Sequence, residues 1–145
     1  THNVSSAASD VYKRQETSVS GVRKIFKSLL SNNVICLAAD QVPQAGMGEY
    51  VKFFNRDAYT TTLASSLAHK TGKPVIYCSM NSDNNKNLFV SIKPSNKDIY
   101  SNSKRLLSMN NSIENLININ PKDYSWEYKR FKKAKPKNTD PYLKA

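Results

Sequence analysis

Glycine and cysteine are scarce in this chain of 145 residues, which holds four of the first and two of the second. With only six prolines besides, collagen-like repeats and Gly-rich linkers are excluded. Cys36 and Cys78 both sit inside apolar runs. They read as buried small hydrophobes, not as a disulfide framework or a metal site. That use of cysteine fits a reducing compartment. Long apolar runs are also missing. The longest aliphatic stretch, Val34 to Ala39, has six residues, whereas a spanning helix needs about 20. Histidine occurs twice. No Gly-rich phosphate loop, Ser elbow, Cys-x-x-Cys or His-Glu-x-x-His is present. No cofactor and no metal ion is expected.

Acidic residues are the other shortage. There are 11 Asp+Glu against 22 Lys+Arg, for a formal charge of +11. Such a surface concentrates phosphates, nucleic acid, acidic proteins or anionic lipid headgroups, and composition does not choose among them. The hydrophobic share of 39% is too high for a wholly disordered chain. The length suits one domain or a piece of a larger one.

Residues 1–15, THNVSSAASDVYKRQ, have no helical or strand periodicity and no continuous apolar core, so they are not a secretory signal. They resemble a translation of sequencing-adapter DNA. An ordinary N-terminal extension is the plainer alternative. The natural sequence is expected to begin near Glu16, with its N-terminal portion absent. Residues 16–136 are expected to form the folded part, and 137–145 a disordered tail.

From Ser18 to Ser31, Val19, Val22, Ile25, Phe26, Leu29 and Leu30 recur at spacings of three and four, which predicts an amphipathic helix. Val34 to Ala39 is apolar on both faces and predicts a buried strand of a parallel or mixed sheet. Tyr50 to Phe54 is extended, Asn55-Arg56-Asp57 a turn, and Thr60 to Lys70 a helix stopped by Gly72 and Pro74. Val75 to Met80 reads as a second buried strand, forming a hairpin with Leu88 to Ile92. Ile99 to Asn120 predicts a helix with Leu106, Leu107, Ile113, Leu116 and Ile117 inward. Lys122 to Lys133 predicts a last short helix. The class is α/β: a partial mixed sheet with flanking helices.

Few residues carry chemistry. His69 falls near the C-terminus of a predicted helix, where a cation suits the dipole, so it reads as a surface cap residue. Asp40-Gln41 ends a predicted buried strand, the end that faces the ligand crevice in open α/β sheets. Asp40 can accept from hydroxyls, or simply cap a turn. Lys122 to Lys137 interleaves Lys with Tyr124, Trp126, Tyr128 and Phe131. That pattern suits single-stranded nucleic acid, a membrane surface, or a solvated helix whose aromatics dock on the body.

Three blocks in order resemble the lipid A biosynthesis (late) acyltransferases. They are Leu37-Ala38-Ala39-Asp40-Gln41; Tyr50 to Asn55 with Thr60 and Thr71-Gly72-Lys73-Pro74-Val75-Ile76; and Asn120 to Lys132, with Trp126 and Arg130-Phe131-Lys132. The resemblance covers about Val19 to Pro136. Lys52 replaces the family's usual Pro, Asn55 its Gly, and Tyr128 stands where many members have His. The family's catalytic pair is a His followed five positions later by Asp. His2 is followed at that offset by Ala7, and His69 by Pro74. The chain therefore resembles the C-terminal half of a glycerolipid-acyltransferase-like fold, with no catalytic residue of its own and no acyl transfer expected from it alone.

The resemblance implies further expectations. The whole enzyme would move a fatty acyl chain from acyl-acyl carrier protein to a lipid A precursor, in lipopolysaccharide biosynthesis. It would work at the cytoplasmic face of the bacterial inner membrane, whose surface is anionic, with its anchor in the absent N-terminal part. Asp40 and Gln41 would position the acceptor. Phe53 and Phe54 would line an acyl surface, or serve as core. Thr60 would face the site or cap its helix. Arg130, with Lys129 and Lys132, would meet the acceptor's phosphates. A basic nucleic-acid-binding module is the alternative reading, although no nucleic acid partner is expected if the resemblance holds. A glycerophospholipid acyltransferase is a third, disfavoured by the Trp126 to Lys132 block.

Overall fold

The computed structural model describes residues 19–133, 135 and 141–142. The leader at 1–15 and nearly all of the expected tail at 137–145 lie outside the described residues. Among the described residues, three helices and four strands follow in the order α1 (Val19–Leu30), β1 (Gly48–Phe53), β2 (Arg56–Thr61), α2 (Leu63–Thr71), β3 (Ile76–Ser82), β4 (Leu88–Pro94) and α3 (Arg105–Ile117). Short 3-10 turns occupy Lys97–Tyr100 and Pro121–Asp123. The fold is α/β, as expected. Its sheets are two antiparallel hairpins, β1-β2 and β3-β4, and the described residues contain no parallel pairing. The chain divides into two units between Cys36 and Leu37. The first contains α1, whose apolar stripe matches the predicted helix within one residue at each end. No helix among the described residues is long and apolar enough to cross a membrane.

The second unit begins at Leu37 and holds the core, built from Phe53, Ala58, Ala68, Ile99, Met109, Ile113 and Ile117. The β1-β2 hairpin turns through Phe54 and Asn55, with φ of 46° and 59°, in register Phe53↔Arg56. Two positive φ values in a two-residue loop match the right-handed strand twist. Asn55 tolerates that conformation, which explains how it replaces a family glycine. Phe54 does so at a cost of about 1–2 kcal/mol. Against that cost, its N–H donates to Glu114 Oε1 at 2.9 Å, and its ring packs edge-on to Phe53 at 4.9 Å.

Several expectations are corrected. Val34 to Ala39 is not a strand: the backbone is irregular from 33 to 38 and Val34 is 93% exposed. A strand needs a neighbour for its N–H and C=O groups, and among the described residues none pairs with it. Cys36 and Cys78 are both exposed free thiols. Thr60 belongs to β2, not to a helix, because Tyr50↔Tyr59 and Glu49↔Thr60 pairing extends the strand to Thr61. Helix α2 starts only at Leu63 and ends as predicted on Gly72 (φ 63°), whose N–H donates to Ala68 O. The β3-β4 hairpin forms as expected but is not buried: Ile76, Met80, Val90 and Ile92 share one exposed face. The predicted long helix at 99–120 is shortened to α3, and Leu107 lies outside its buried stripe. Residues 122–133 contain no α-helix.

Of Gly46, Gly48 and Gly72, only Gly48 is closely approached by other atoms. A Cβ there would lie 2.6 Å from Thr60 O and 2.7 Å from Pro43 Cγ. Gly48→Ala is therefore expected to lower stability by about 2 kcal/mol, read as a fall in the urea midpoint of the chain.

Candidate functional site

The segment from Pro121 to Lys133 has almost no regular backbone, so side chains hold it in place. Trp126 Nε1 donates to Pro121 O at 2.7 Å. Asn120 and Asp123 tie the start of the segment to Ser82 at the end of β3. Tyr128 Oη accepts from Val42 N at 2.7 Å. That last bond joins the terminal segment to the corner containing Asp40 and Gln41, across 86 positions of sequence. Lys133 Nζ reaches Pro43 O at 3.2 Å and lies 4.4 Å from the Tyr59 ring centroid. Tyr59 Oη in turn accepts from Gly46 N at 3.0 Å and Gly48 N at 3.1 Å. The loop between Val42 and Gly48 is thus pinned at both ends by phenol oxygens.

Beneath this stitching lies a buried polar layer. Arg130 is 3% exposed. Its Nη1 donates to Tyr59 O at 2.9 Å and its Nη2 to Thr60 Oγ1 at 2.8 Å. Its guanidinium carbon stands 5.1 Å from the Phe53 ring centroid, within cation–π range. Thr60, fully buried, also accepts from Asn110 Nδ2 at 3.2 Å and donates to Ala58 O at 3.1 Å. Asn110 Nδ2 donates further to Lys52 O at 2.8 Å. Arg130 Nε and Asn110 Oδ1 are buried without a hydrogen-bond partner among the described residues. Burial lowers the Arg130 pKa from its ordinary value, opposed by the nearby Tyr124 and the Asp40 charge.

Above the layer, Asp40, Gln41, Ser125, Glu127 and Tyr128 line a cavity of about 490 Å³. Tyr124 faces the Asp40 carboxylate without a well-aligned hydrogen bond. Its pKa is pushed up to about 12, first by burial and then by the Asp40 charge.

The six residues singled out from sequence fall into two linked groups. Asp40 and Gln41 stand on the cavity wall. Phe53, Thr60 and Arg130 form the buried layer behind it, with Phe54 joined to it through Phe53. Arg130 faces inward, whereas Lys129 and Lys132 are exposed. His69 is an exposed residue in the last turn of α2 with Nδ1 2.6 Å from Tyr100 O. Sequence reasoning missed Asn110, Ser125 and Glu127. For Asn110 a signal existed: it lies four residues after Leu106 and three before Ile113, a polar side chain on an apolar stripe. Among the described residues, no cluster of three or more His, Cys, Asp or Glu could hold a metal ion.

Residues 7–133 match the family described as bacterial lipid A biosynthesis acyltransferase. The chain belongs to that family. It is thereby a member of an acyltransferase family of lipid A biosynthesis, in keeping with the three sequence blocks. No curated protein matches the chain. In this acyltransferase the first and third blocks, distant in sequence, wall one cavity, and the second supplies Phe53 and Thr60 underneath.

Two predictions follow from this geometry. Thr60→Val removes the oxygen shared by Arg130 and Asn110 while keeping the shape. It should cost about 3 kcal/mol, because two buried donors lose their acceptor, and Thr60→Ser should cost less. Urea unfolding of both variants checks this. Stability should also fall between about pH 10 and about pH 12. The unfolded Tyr124 loses its proton near 10.0 and the folded one near about 12, so the unfolded state binds fewer protons in that window. Tyr124→Phe should flatten that limb of a pH–stability curve.

Proposed function

We propose that this chain is the acceptor-framing part of a lipid A acyltransferase. In this reading a fatty acyl chain passes from acyl-acyl carrier protein to a hydroxyl of a lipid A precursor at the cytoplasmic face of the bacterial inner membrane. The base that removes the hydroxyl proton, and the carboxylate that orients it, come from a His-x4-Asp segment outside this sequence. His69 does not take that part: its Nδ1 is engaged with a backbone carbonyl at a helix end, and Pro74 stands where the Asp belongs.

The observation that carries the reading is the Val42 N–H to Tyr128 Oη bond. It holds the Asp-Gln corner against the terminal block, so that both wall one cavity. Asp40 and Gln41 offer an acceptor and a mixed donor–acceptor to the incoming glycolipid. Phe53 and Thr60 act from below, by fixing Arg130. Arg130 serves as the frame of the terminal block, since two of its nitrogens already donate inward. The contact with phosphate then passes to the exposed Lys129 and Lys132. Phe54, half-buried beside Trp126 at 6.0 Å, contributes apolar surface next to the cavity. The exposed apolar face of β3-β4 supports a further element of the domain packing on it. A nucleic-acid module draws less support, because the rings of Tyr124, Trp126 and Phe131 are already packed on one another or on Phe53 and Phe54.

The test uses the enzyme completed by the upstream His-x4-Asp segment. Asp40→Ala should lower kcat/KM for the glycolipid acceptor by about tenfold or more, with little change in the thermal midpoint. Equal loss of folded protein and of activity would make Asp40 a turn residue and remove the cavity from the reaction.

A further inference from the structure

The two hairpins of the second unit differ at their outer edges. In an antiparallel pair, hydrogen-bonded and non-hydrogen-bonded positions alternate, and residues of the second kind turn their N–H and C=O groups outward. The Thr62 N to Met47 O bond fixes that alternation for β1-β2 and puts Gly48, Lys52 and Tyr59 among the outward residues. Side chains meet them: Tyr59 Oη accepts from Gly48 N, Asn110 Nδ2 donates to Lys52 O, and Arg130 Nη1 donates to Tyr59 O. In β3-β4 the bonds Ser95 N to Val75 O and Asp83 N to Asn87 O fix the alternation from both ends. The outward residues are Ile76, Cys78, Met80 and Ser82 on β3, and Leu88, Val90 and Ile92 on β4. Ser82 N donates to Asp123, and Ser82 O accepts from Asn120 Nδ2. Strand β3 is also packed by α3 and by the Pro121–Asp123 turn, whereas β3 is the only substantial neighbour of β4 among the described residues. No hydrogen bond among those residues reaches the outward groups of Leu88, Val90 or Ile92.

Edge strands are commonly guarded by a charge, a proline or a bulge. From Leu88 to Ile92, β4 has none of these: the residues are Leu-Phe-Val-Ser-Ile and the register with β3 is unbroken. Lys93 and Pro94 come only at its end. The outward residues carry exposed aliphatic side chains, at 72% for Leu88, 58% for Val90 and 59% for Ile92. We infer that β4 pairs edge to edge with β4 of a second copy of this chain, antiparallel about a two-fold axis at Val90, giving one four-stranded sheet. The strand is self-complementary in that register. Leu88 stands opposite Ile92, and Val90 opposite the same residue of the partner copy. All three positions turn N–H and C=O outward, so each edge supplies donors and acceptors where the other needs them. The aliphatic side chains meet in direct cross-strand pairs. Lys86 falls opposite Pro94 and Lys93 opposite Asn87, so no like charges face each other across the axis. A symmetric contact of this kind closes on two copies. The formal charge of +11 on each opposes the approach at long range, and salt screens that repulsion. Pairing uses the edge of the hairpin and leaves its apolar face to a further element of the domain. This contact is independent of the acyltransferase reading.

Sedimentation equilibrium of the full 145-residue chain, with amide hydrogen exchange at low and high protein concentration, tests the pairing. A monomer–dimer equilibrium is expected, tightening several-fold as salt rises. In the dimer the amides of Leu88, Val90 and Ile92 should gain protection. Those of Phe89, Ser91 and Lys93, bonded within the hairpin, should be protected at both concentrations. Val90→Pro removes an outward N–H and no bond of the β3-β4 ladder. Val90→Lys sets like charges opposite each other at the axis, and its exposed position keeps the test open if Val90→Pro does not fold. Each should weaken the dimer at least several-fold. Ile76→Lys, on the same exposed face but away from the β4 edge, should leave it nearly unchanged. A chain that stays monomeric, or one whose association runs on past the dimer, would overturn the inference. A dimer that survives Val90→Lys, or that Ile76→Lys weakens as much, would do the same. So would full protection of Leu88, Val90 and Ile92 in the monomer, because another segment of the same chain would then cover the edge.

Discussion

A buried guanidinium organises the second unit. Removing a charge from water costs several kcal/mol, a cost offset only in part by the groups that replace its hydration. Arg130 is met by a strand carbonyl, a buried hydroxyl and an aromatic face. Those three partners come from β1 and β2, so the terminal segment can occupy only one position on the hairpin if its charge is to be satisfied. This matters because the segment has almost no backbone ladder to fix it. Its register comes from Arg130, and the remaining contacts of Tyr128, Trp126 and Lys133 follow from that register. The cavity wall at Ser125, Glu127 and Tyr128 is a consequence of where Arg130 is placed.

The same layer explains why a fully buried asparagine is tolerated in α3. Asn110 satisfies two oxygens that the hairpin leaves inside, Lys52 O and Thr60 Oγ1. An apolar residue of similar size would leave Thr60 with one donor instead of two and Lys52 O without its side-chain partner. Polar groups inside a core specify geometry when they are mutually matched. Here the matching links α3, β1, β2 and the terminal segment through a single threonine hydroxyl. Phe53 adds the apolar half of the arrangement, closing the core on one side and bearing the guanidinium on the other.

What could be read from the sequence was whatever local chemistry decides. The stop of α2 at Gly72, the turn at Asn55 and the β3-β4 hairpin each depend on residues within a few positions of one another. The failures share a cause of the opposite kind. Val34 to Ala39 has strand composition, but strand formation depends on a neighbour that composition does not supply. Thr60 sits in a stretch with helical spacing, yet pairing with Glu49 holds it in β2. Residues 122–133 read as a short helix carrying Tyr124, Trp126, Tyr128 and Phe131. Instead Tyr128 bonds to Val42, Trp126 to Pro121 and Arg130 to Tyr59 and Thr60, directions that no single helix could serve. For the site, the Asp-Gln corner and the terminal block were visible as blocks. That Arg130 points inward was not, because a basic residue among lysines carries no mark of burial in sequence.

Net charge misleads in a similar way. A chain at +11 invites the view that each surface feature is built for anions. Such a charge attracts anionic groups of any kind, and it acts over about a Debye length. Within a few ångströms the nearest groups decide, and around the cavity those are Asp40 and Glu127. The two scales differ in reach. The lysine-rich surface acts at a distance and on any anion alike, whereas Asp40 and Glu127 act only on a group that has come into contact with the cavity wall.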